Sequence, residues 1–234
     1  MTHKKRLAAP NTWPIERKTE TFTVHAGAGP HGESGVPLVI ILRDILGYVD
    51  TAKEAMYAVR RGYIRVNGSV VTDHRQPVGL FDIITFDERG EYYRVFPEAG
   101  GRLSLTPIDP ASAETKLSKV TDKQQVAGGR TQLSLHDGRT VLVDDAGDYN
   151  THDSVIIDLE SGDIVHHLPY GEGSMVTAVA GSHAGEIGVI EVIEVHPGSS
   201  ANTLRVETDD GFFETIEEYV VVIDENFTDG DADE

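Results

Sequence analysis

The sequence predicts an α+β, multidomain and mostly β protein, and three observations predict it. Only residues 37–62 place apolar side chains at helical spacing. From about Tyr92 onward, short alternating runs are separated by turn dipeptides. A hydrophobic fraction of 39% over 234 residues is lean for one thick core and favours several small ones. The expected organisation is an extended basic arm at 1–36, a small helix-hairpin domain at 37–91, a central β domain at 92–169, a small β barrel at 170–224 and an acidic tail at 225–234.

Residues 1–36 carry Lys4, Lys5 and Arg6, then Pro10, Trp13 and Pro14, then G-A-G-P-H-G-E-S-G, with no apolar period that would build a core. Trp13, with Arg17 and Lys18 close by, suits an arm that orders against a partner by stacking and phosphate contact. Pro37 suits a helix first turn, and Leu38, Ile41, Leu42, Ile45 and Leu46 follow at helical spacing until Gly47 stops them. Asp50 or Thr51 can cap a second helix, in which Ala52, Ala55, Met56 and Val59 recur before Gly62. Ile64, Val66, Val70 and Val71 alternate around Asn67-Gly68, a tight-hairpin signal, and Phe81, Ile83 and Phe86 make another strand.

Further strands are expected at 92–96, 101–105, 120–125, 132–135, 140–143, 154–158 and 163–167, with turns at H-D-G, D-D-A-G and E-S-G-D. A last group follows at 175–180, 187–195, 203–208 and 219–223, with a turn at Asp210-Gly211 and the spacing of a small barrel.

The formal net charge of -19 disfavours a polyanionic partner, but its distribution changes that reading. The first 130 residues hold 18 Lys/Arg against 15 Asp/Glu, and the remainder hold 2 against 24. A basic face on the first half and a strongly solvated acidic second half are expected. Scattered carboxylates and only seven lysines match the composition of proteins from salt-loving microbes. The chain has no cysteine, so disulfides and thiolate metal sites are excluded. No apolar run follows M-T-H-K-K-R, and Val36 to Leu42 is far short of a membrane span, so a soluble, unexported protein is expected.

The richest constellation is L-R-D-I-L-G-Y-V-D-T-A-K-E-A-M-Y-A-V-R-R-G-Y-I-R-V-N-G at 42–68. Arg60, Arg61 and Arg65 cluster where helix hands over to sheet and can hold phosphates, while Asn67 and turn amides can reach sugar or base edges. The same residues would also serve an ordinary helix-hairpin domain with solvated arginines. The segment is similar to the S-four type RNA-binding domain of ribosomal proteins, pseudouridine synthases and tyrosyl-tRNA synthetases. Thr51, Lys53, Glu54, Ala55, Gly62, Ile64, Val66, Asn67 and Gly68 carry the likeness. Residues 171–193, G-E-G-S-M-V-T-A-V-A-G-S-H-A-G-E-I-G-V-I-E-V-I, resemble a KOW motif, a nucleic-acid-binding element that implies an SH3-like barrel. Glu186 stands where such motifs often place a basic residue.

The order of these parts resembles the S-four-e family of small-subunit ribosomal proteins of archaea and eukaryotes, over nearly the entire chain. Further matches are P-L-V-I-I-L-R-D-I-L-G-Y, P-V-G-L-F-D-I-I and F-F-E-T-I-E-E-Y-V-V-V-I. The resemblance implies a structural role in translation, with small-subunit ribosomal RNA and neighbouring ribosomal proteins as partners on a cytoplasmic ribosome. Lys4, Lys5, Arg6, Arg17, Lys18, Arg43, Lys53, Arg60, Arg61, Arg65 and Arg75 are the candidates for phosphate or sugar contact, with Trp13 and Asn67 beside them.

Enzyme-like signals fail. Gly27, Gly29 and Gly32 spell G-x-G-x-x-G, but Pro30 and the lack of a βαβ unit argue against a dinucleotide loop. Adjacent His166 and His167 would point to opposite faces of a strand, and no H-E-x-x-H is present. N-G-S at 67 and N-F-T at 226 are glycosylation sequons only in a secreted protein. No catalytic residue, cofactor, metal, membrane contact or small-molecule substrate is expected. The alternatives are an RNA-modifying enzyme with an S-four-like targeting module, for which no R-L-D type catalytic stretch is found, and a free translation or transcription regulator.

Overall fold

The computed structural model describes residues 3–144, 147–198 and 200–227, so the D-G-D-A-D-E end of the expected acidic tail lies outside the described residues. The chain divides into two units, Met1–Phe96 with Arg102–Glu114, and Pro97–Gly101 with Thr115–Glu234. Both are dominated by antiparallel sheets.

In unit 1, β1 (His3–Lys5) pairs with β2 (Phe22–Val24). The expectation of an arm without a core is corrected. Trp13 is 1% exposed, and Ala9 and Ile15 join it in the cluster that contains Leu38 to Leu42. The Trp13 indole donates to the Glu33 carbonyl at 3.2 Å. The segment buries isolated residues rather than a face, so it leaves no period in the sequence.

β3 (Val36–Pro37) leads into α1 (Leu38–Ile40), which continues as a π-helical turn over Ile41–Ile45. Leu38 to Leu42 are buried all round, as befits a helix enclosed in a core. α2 (Ala52–Arg60) starts with a capping box: Glu54 N donates to Thr51 Oγ1 and Thr51 N donates to Glu54 Oε2, each at 3.2 Å. Its Ala55 and Val59 face the core. β4 (Ile64–Val66) and β5 (Ser69–Val70) close around Asn67 (φ 51°) and Gly68 (φ 76°), a two-residue turn in the left-handed region.

β6 (Pro77–Val78) pairs with β3, and β7 (Ile83–Phe86), β8 (Glu91–Glu98) and β9 (Arg102–Pro107) complete a five-stranded sheet in the order β5-β4-β7-β8-β9. The boundary expected at residue 91 therefore falls inside a hairpin, with Ile83 opposite Arg94 and Phe86 opposite Glu91. Alternation identified these strands correctly but carries no information about which sheet they join.

Asp82, 1% exposed, sits at the centre of this unit. Asn67 Nδ2 donates to its Oδ1 at 2.8 Å, Gly79 N donates to its Oδ2 at 2.9 Å, and His31 Nε2 lies 2.9 Å from the same oxygen. Asn67 Oδ1 in turn accepts from Ile83 N at 2.9 Å. A Cβ at position 79 would stand 2.2 Å from the His31 ring, so only glycine admits that imidazole.

Unit 2 contains two sheets. β10 (Thr115–Gln125), β11 (Thr131–Leu135), β12 (Thr140–Val143), β13 (Ser154–Asp158) and β14 (Ile164–Leu168) are ordered β12-β11-β10-β13-β14 around Val120, Leu133, Leu135, Val155 and Ile157. β10 starts at Thr115 rather than at Val120, because its first half pairs with β13 and its second with β11. Residues 116–120 are buried on both faces, lysines included, and so show no alternation.

β15 (Met175–Ala178), β16 (Ile187–Glu194), β17 (Thr203–Thr208), β18 (Gly211–Ile216) and β19 (Val220–Val222) are ordered β18-β17-β16-β15-β19. Phe213 from one edge strand and Val220 and Val222 from the other share one cluster with Val176, Ile190 and Val206, so the sheet curls on itself. β18 was not among the expected strands. Lys119, 7% exposed, ties this sheet to β10, its ammonium donating to the carbonyls of Glu217 (2.9 Å), Glu218 (3.3 Å) and Val220 (2.8 Å). Asp153 adds a second tie, held by His167 Nε2 at 2.7 Å and by Tyr170 N at 2.8 Å.

Two outcomes follow. Asn67→Ala removes the hydrogen bond that the Ile83 amide donates and the one that Asp82 Oδ1 accepts, and places alanine at positive φ, at a cost of about 2–4 kcal/mol read by urea unfolding in molar KCl. Burial pushes the Lys119 ammonium down to about 8, against the pull of Glu217 and Glu218, while an unfolded lysine titrates near ~10.4. Between those values the unfolded chain binds more protons, so the stability contributed by Lys119 rises with pH there and is flat below. Unfolding free energies of wild type minus Lys119→Met therefore climb from pH 8 toward 10; a constant difference refutes the buried ammonium.

Candidate nucleic-acid interface

α2 and the β4–β5 hairpin set the cations of unit 1. Lys53 and Arg60 lie seven residues apart, two helical turns, and thus share one face of α2. Both are exposed and make no hydrogen bond or ion pair among the described residues. Arg61 packs its guanidinium 4.9 Å over the Tyr57 ring and donates from Nε to the Tyr57 hydroxyl at 3.0 Å. Arg65 is partly exposed and held by Asp87 at 2.9 Å, and Arg75 Nε lies 3.6 Å from Asp73 Oδ1. Burial lowers the pKa of His74, and Arg75 and Arg60 add to that against Asp73. The charge of that surface thus comes from its arginines.

The basic residues of the N-terminal segment divide. Lys5 and Lys18 are exposed, without partners among the described residues. Lys4 is paired with Glu33 at 3.3 Å and lies 5.6 Å from the Trp13 ring centre. Arg17 donates to the carbonyls of Ala9 (2.7 Å) and Pro10 (2.8 Å) and to Asn11 Oδ1 (2.9 Å). Arg43 pairs with Asp44 at 2.8 Å.

Three expected contact residues serve the fold instead. Arg6 is 6% exposed, donating to the Glu16 carbonyl and lying 3.7 Å from Asp44. Trp13 presents no face for stacking, and both ends of the Asn67 amide are engaged by Asp82 and Ile83. A buried indole or amide and an exposed one are written with the same letter, so sequence does not separate these roles. Conversely, Tyr57 and Tyr63, 60% and 41% exposed beside the arginine pair, were not among the expected contacts. Tyr57 lies off the Ala55–Val59 stripe of α2, which was the available signal.

Unit 2 offers little free positive charge. Of its six Lys/Arg, Lys116 pairs with Asp137, Lys119 meets three carbonyls, and Lys123 donates to the Tyr149 carbonyl at 2.6 Å. Arg139 lies 3.7 Å from Asp137 and Arg205 3.0 Å from Glu214, leaving Arg130 alone without a partner among the described residues. Glu186 holds His183 Nδ1 at 3.0 Å, and that imidazole stacks on Phe213 at 4.7 Å. Gly188 permits close strand approach, since a Cβ there would lie 2.2 Å from the Glu207 carbonyl oxygen. Among the described residues there is no group of three or more His, Asp or Glu placed to hold a metal ion, and no helix is long and apolar enough to cross a membrane.

Residues 89–164 match the profile described as Ribosomal family S4e, and residues 2–34 match the RS4NT domain. The chain is 62% identical over 234 residues to the small ribosomal subunit protein eS4 of Natronomonas pharaonis, with 99% of each chain covered. It is 58% identical over 230 residues to that of Haloarcula marismortui, with 98% of each covered. The crystal structure of the 30S ribosomal protein S4e from Thermoplasma acidophilum matches with a TM-score of 0.69 and 33% identity, covering 81% of this chain and 94% of that one. The chain therefore belongs to the S4e family of ribosomal proteins, close to its haloarchaeal members.

Proposed function

We infer that the chain is a structural constituent of the small ribosomal subunit and holds ribosomal RNA chiefly through unit 1. The observation that carries this reading is the contrast between Lys53 and Arg60, exposed on one face of α2 without partners among the described residues, and the cations of unit 2, of which all but Arg130 are engaged internally. Arg61, Arg65, Arg75, Arg43, Lys5 and Lys18 extend that cationic surface. Lys4, Arg6, Trp13, Arg17 and Asn67 support it from within. The role is one of binding and positioning, without chemistry.

The close relatives come from salt-loving organisms, and at molar salt the Debye length shrinks to roughly 3 Å. Repulsion between -19 and an RNA backbone then reaches no farther than direct contact, and so does attraction. Short contacts and shape decide recognition. The curled C-terminal sheet is read as an SH3-like barrel carrying the KOW-like segment 171–193. Its acidic surface and the engagement of Glu186 with His183 favour neighbouring ribosomal proteins and solvent over phosphates. A ribosomal role places the protein in the cytoplasm.

The paired reversal Arg60→Glu with Arg61→Glu weakens binding to small-subunit RNA in molar KCl by about ten- to a hundredfold. Glu186→Gln leaves it within about twofold, because that carboxylate serves the loop. Filter binding or fluorescence anisotropy reads both. Equal effects of the two changes, or none from the arginine pair, sink the assignment.

A further inference from the structure

Next to the α2 cations, unit 1 contains a cavity of about 520 Å³, within the size range of ligand pockets. Its floor is apolar: Leu42, Ile64 and Phe86 are each at most 4% exposed. Tyr57 and Tyr63 form walls that stay largely open to solvent. Two exposed guanidinium groups also line it, Arg61 over the Tyr57 ring at 4.9 Å and Arg89 over the Tyr48 ring at 4.2 Å. Glu91 is already held by Arg89 at 2.9 Å and by the Tyr48 hydroxyl, whereas Glu88 faces the cavity as an exposed acceptor.

An apolar floor, aromatic walls and flat cations are the surfaces on which an unpaired base stacks. A neighbouring protein's apolar side chain would fill the floor but give no counter-charge to Arg61, which holds the Tyr57 hydroxyl where Arg89 already has Glu91, whereas a nucleotide brings phosphates with its base. A paired base, enclosed in its duplex, has no free face to offer. We propose that this cavity receives one unpaired base of RNA, stacked against Tyr57 and Tyr63, with the flanking phosphates on Arg61 and Arg89. Glu88 accepts from N–H groups on the base edge. The assignment rests on the reading of unit 1 as the RNA-holding unit and names the form of RNA it selects.

The test uses the full chain in molar KCl with a short single-stranded RNA carrying 2-aminopurine, alone or annealed to its complement. Wild type quenches the emission of the single strand and not of the duplex. Tyr57→Leu with Tyr63→Leu lowers affinity for the single strand by about tenfold or more, while Tyr57→Phe with Tyr63→Phe retains it. Both tyrosines are exposed, so urea unfolding of these variants matches wild type. Lys53→Glu with Arg60→Glu, outside the cavity, separately reads binding to small-subunit RNA. If the leucine pair binds the single strand like wild type while that charge reversal still weakens small-subunit RNA, the cavity assignment falls and the RNA-holding reading stands. If the reversal has no effect either, both fall. A leucine pair that binds every RNA normally yet fails to assemble into subunits would assign the cavity to a protein neighbour and overturn the proposal.

Discussion

The buried carboxylate of Asp82 is the group on which the first unit depends. Taking a carboxylate out of water costs several kcal/mol unless its lone pairs are met. Here they are met by an amide side chain from the hairpin turn and a backbone amide from position 79, with the imidazole of His31 2.9 Å away as a third polar neighbour. Those groups come from three separate stretches of chain. The N-terminal segment, the loop after β6 and the β4–β5 turn are thereby fixed together, and the orientation of the hairpin beside α2 follows. The positions that satisfy Asp82 are constrained in turn: Gly79 must leave room for the imidazole, and Asn67 must occupy the left-handed region while both ends of its amide are engaged.

This arrangement separates the residues that make the module recognisable from those proposed to meet a partner. Thr51 and Glu54 close a capping box, Ala55 and Val59 bury one helix face, Ile64 and Val66 fill the sheet, and Asn67-Gly68 turn the chain. Each answers a requirement of folding. The residues proposed to face a partner, Lys53 and Arg60 with Tyr57 and Tyr63, are exposed and lie outside the buried Ala55–Val59 stripe. A pattern of structural residues announces the scaffold, and on the proposed reading the exposed side chains between them would carry the specificity.

The second unit solves a different problem. Its sequence is crowded with carboxylates, and its few cations, Arg130 excepted, are turned to carbonyls or paired with its own carboxylates. Lys119 shows how this differs from an ordinary surface lysine: its ammonium joins two sheets by donating to three carbonyl acceptors while the residue is largely buried. In concentrated salt such short, buried contacts keep their strength while exposed ion pairs are screened. The recognition proposed for unit 1 would meet the same condition, which favours stacking and direct contact over long-range steering.

Much of this was legible in the letters. The helix that follows Pro37, the capped helix ending before Gly62, the Asn67-Gly68 hairpin and most strands follow from local rules of period, capping and turn chemistry, which act over a few residues. The charge asymmetry and the order of motifs pointed to the family. Tertiary structure alone decided that 1–36 is folded around Trp13, that 92–107 completes the first sheet, that β10 begins at Thr115, and that the barrel-like sheet shares a unit with the central one. It also sorted the cations, withdrawing Arg6 and Arg17 into the fold and leaving Lys53 and Arg60 outside. The physical reason is that burial and pairing are properties of neighbours distant in the chain: sequence fixes what a side chain can do, and only the assembled surroundings determine which of those things remains open to it.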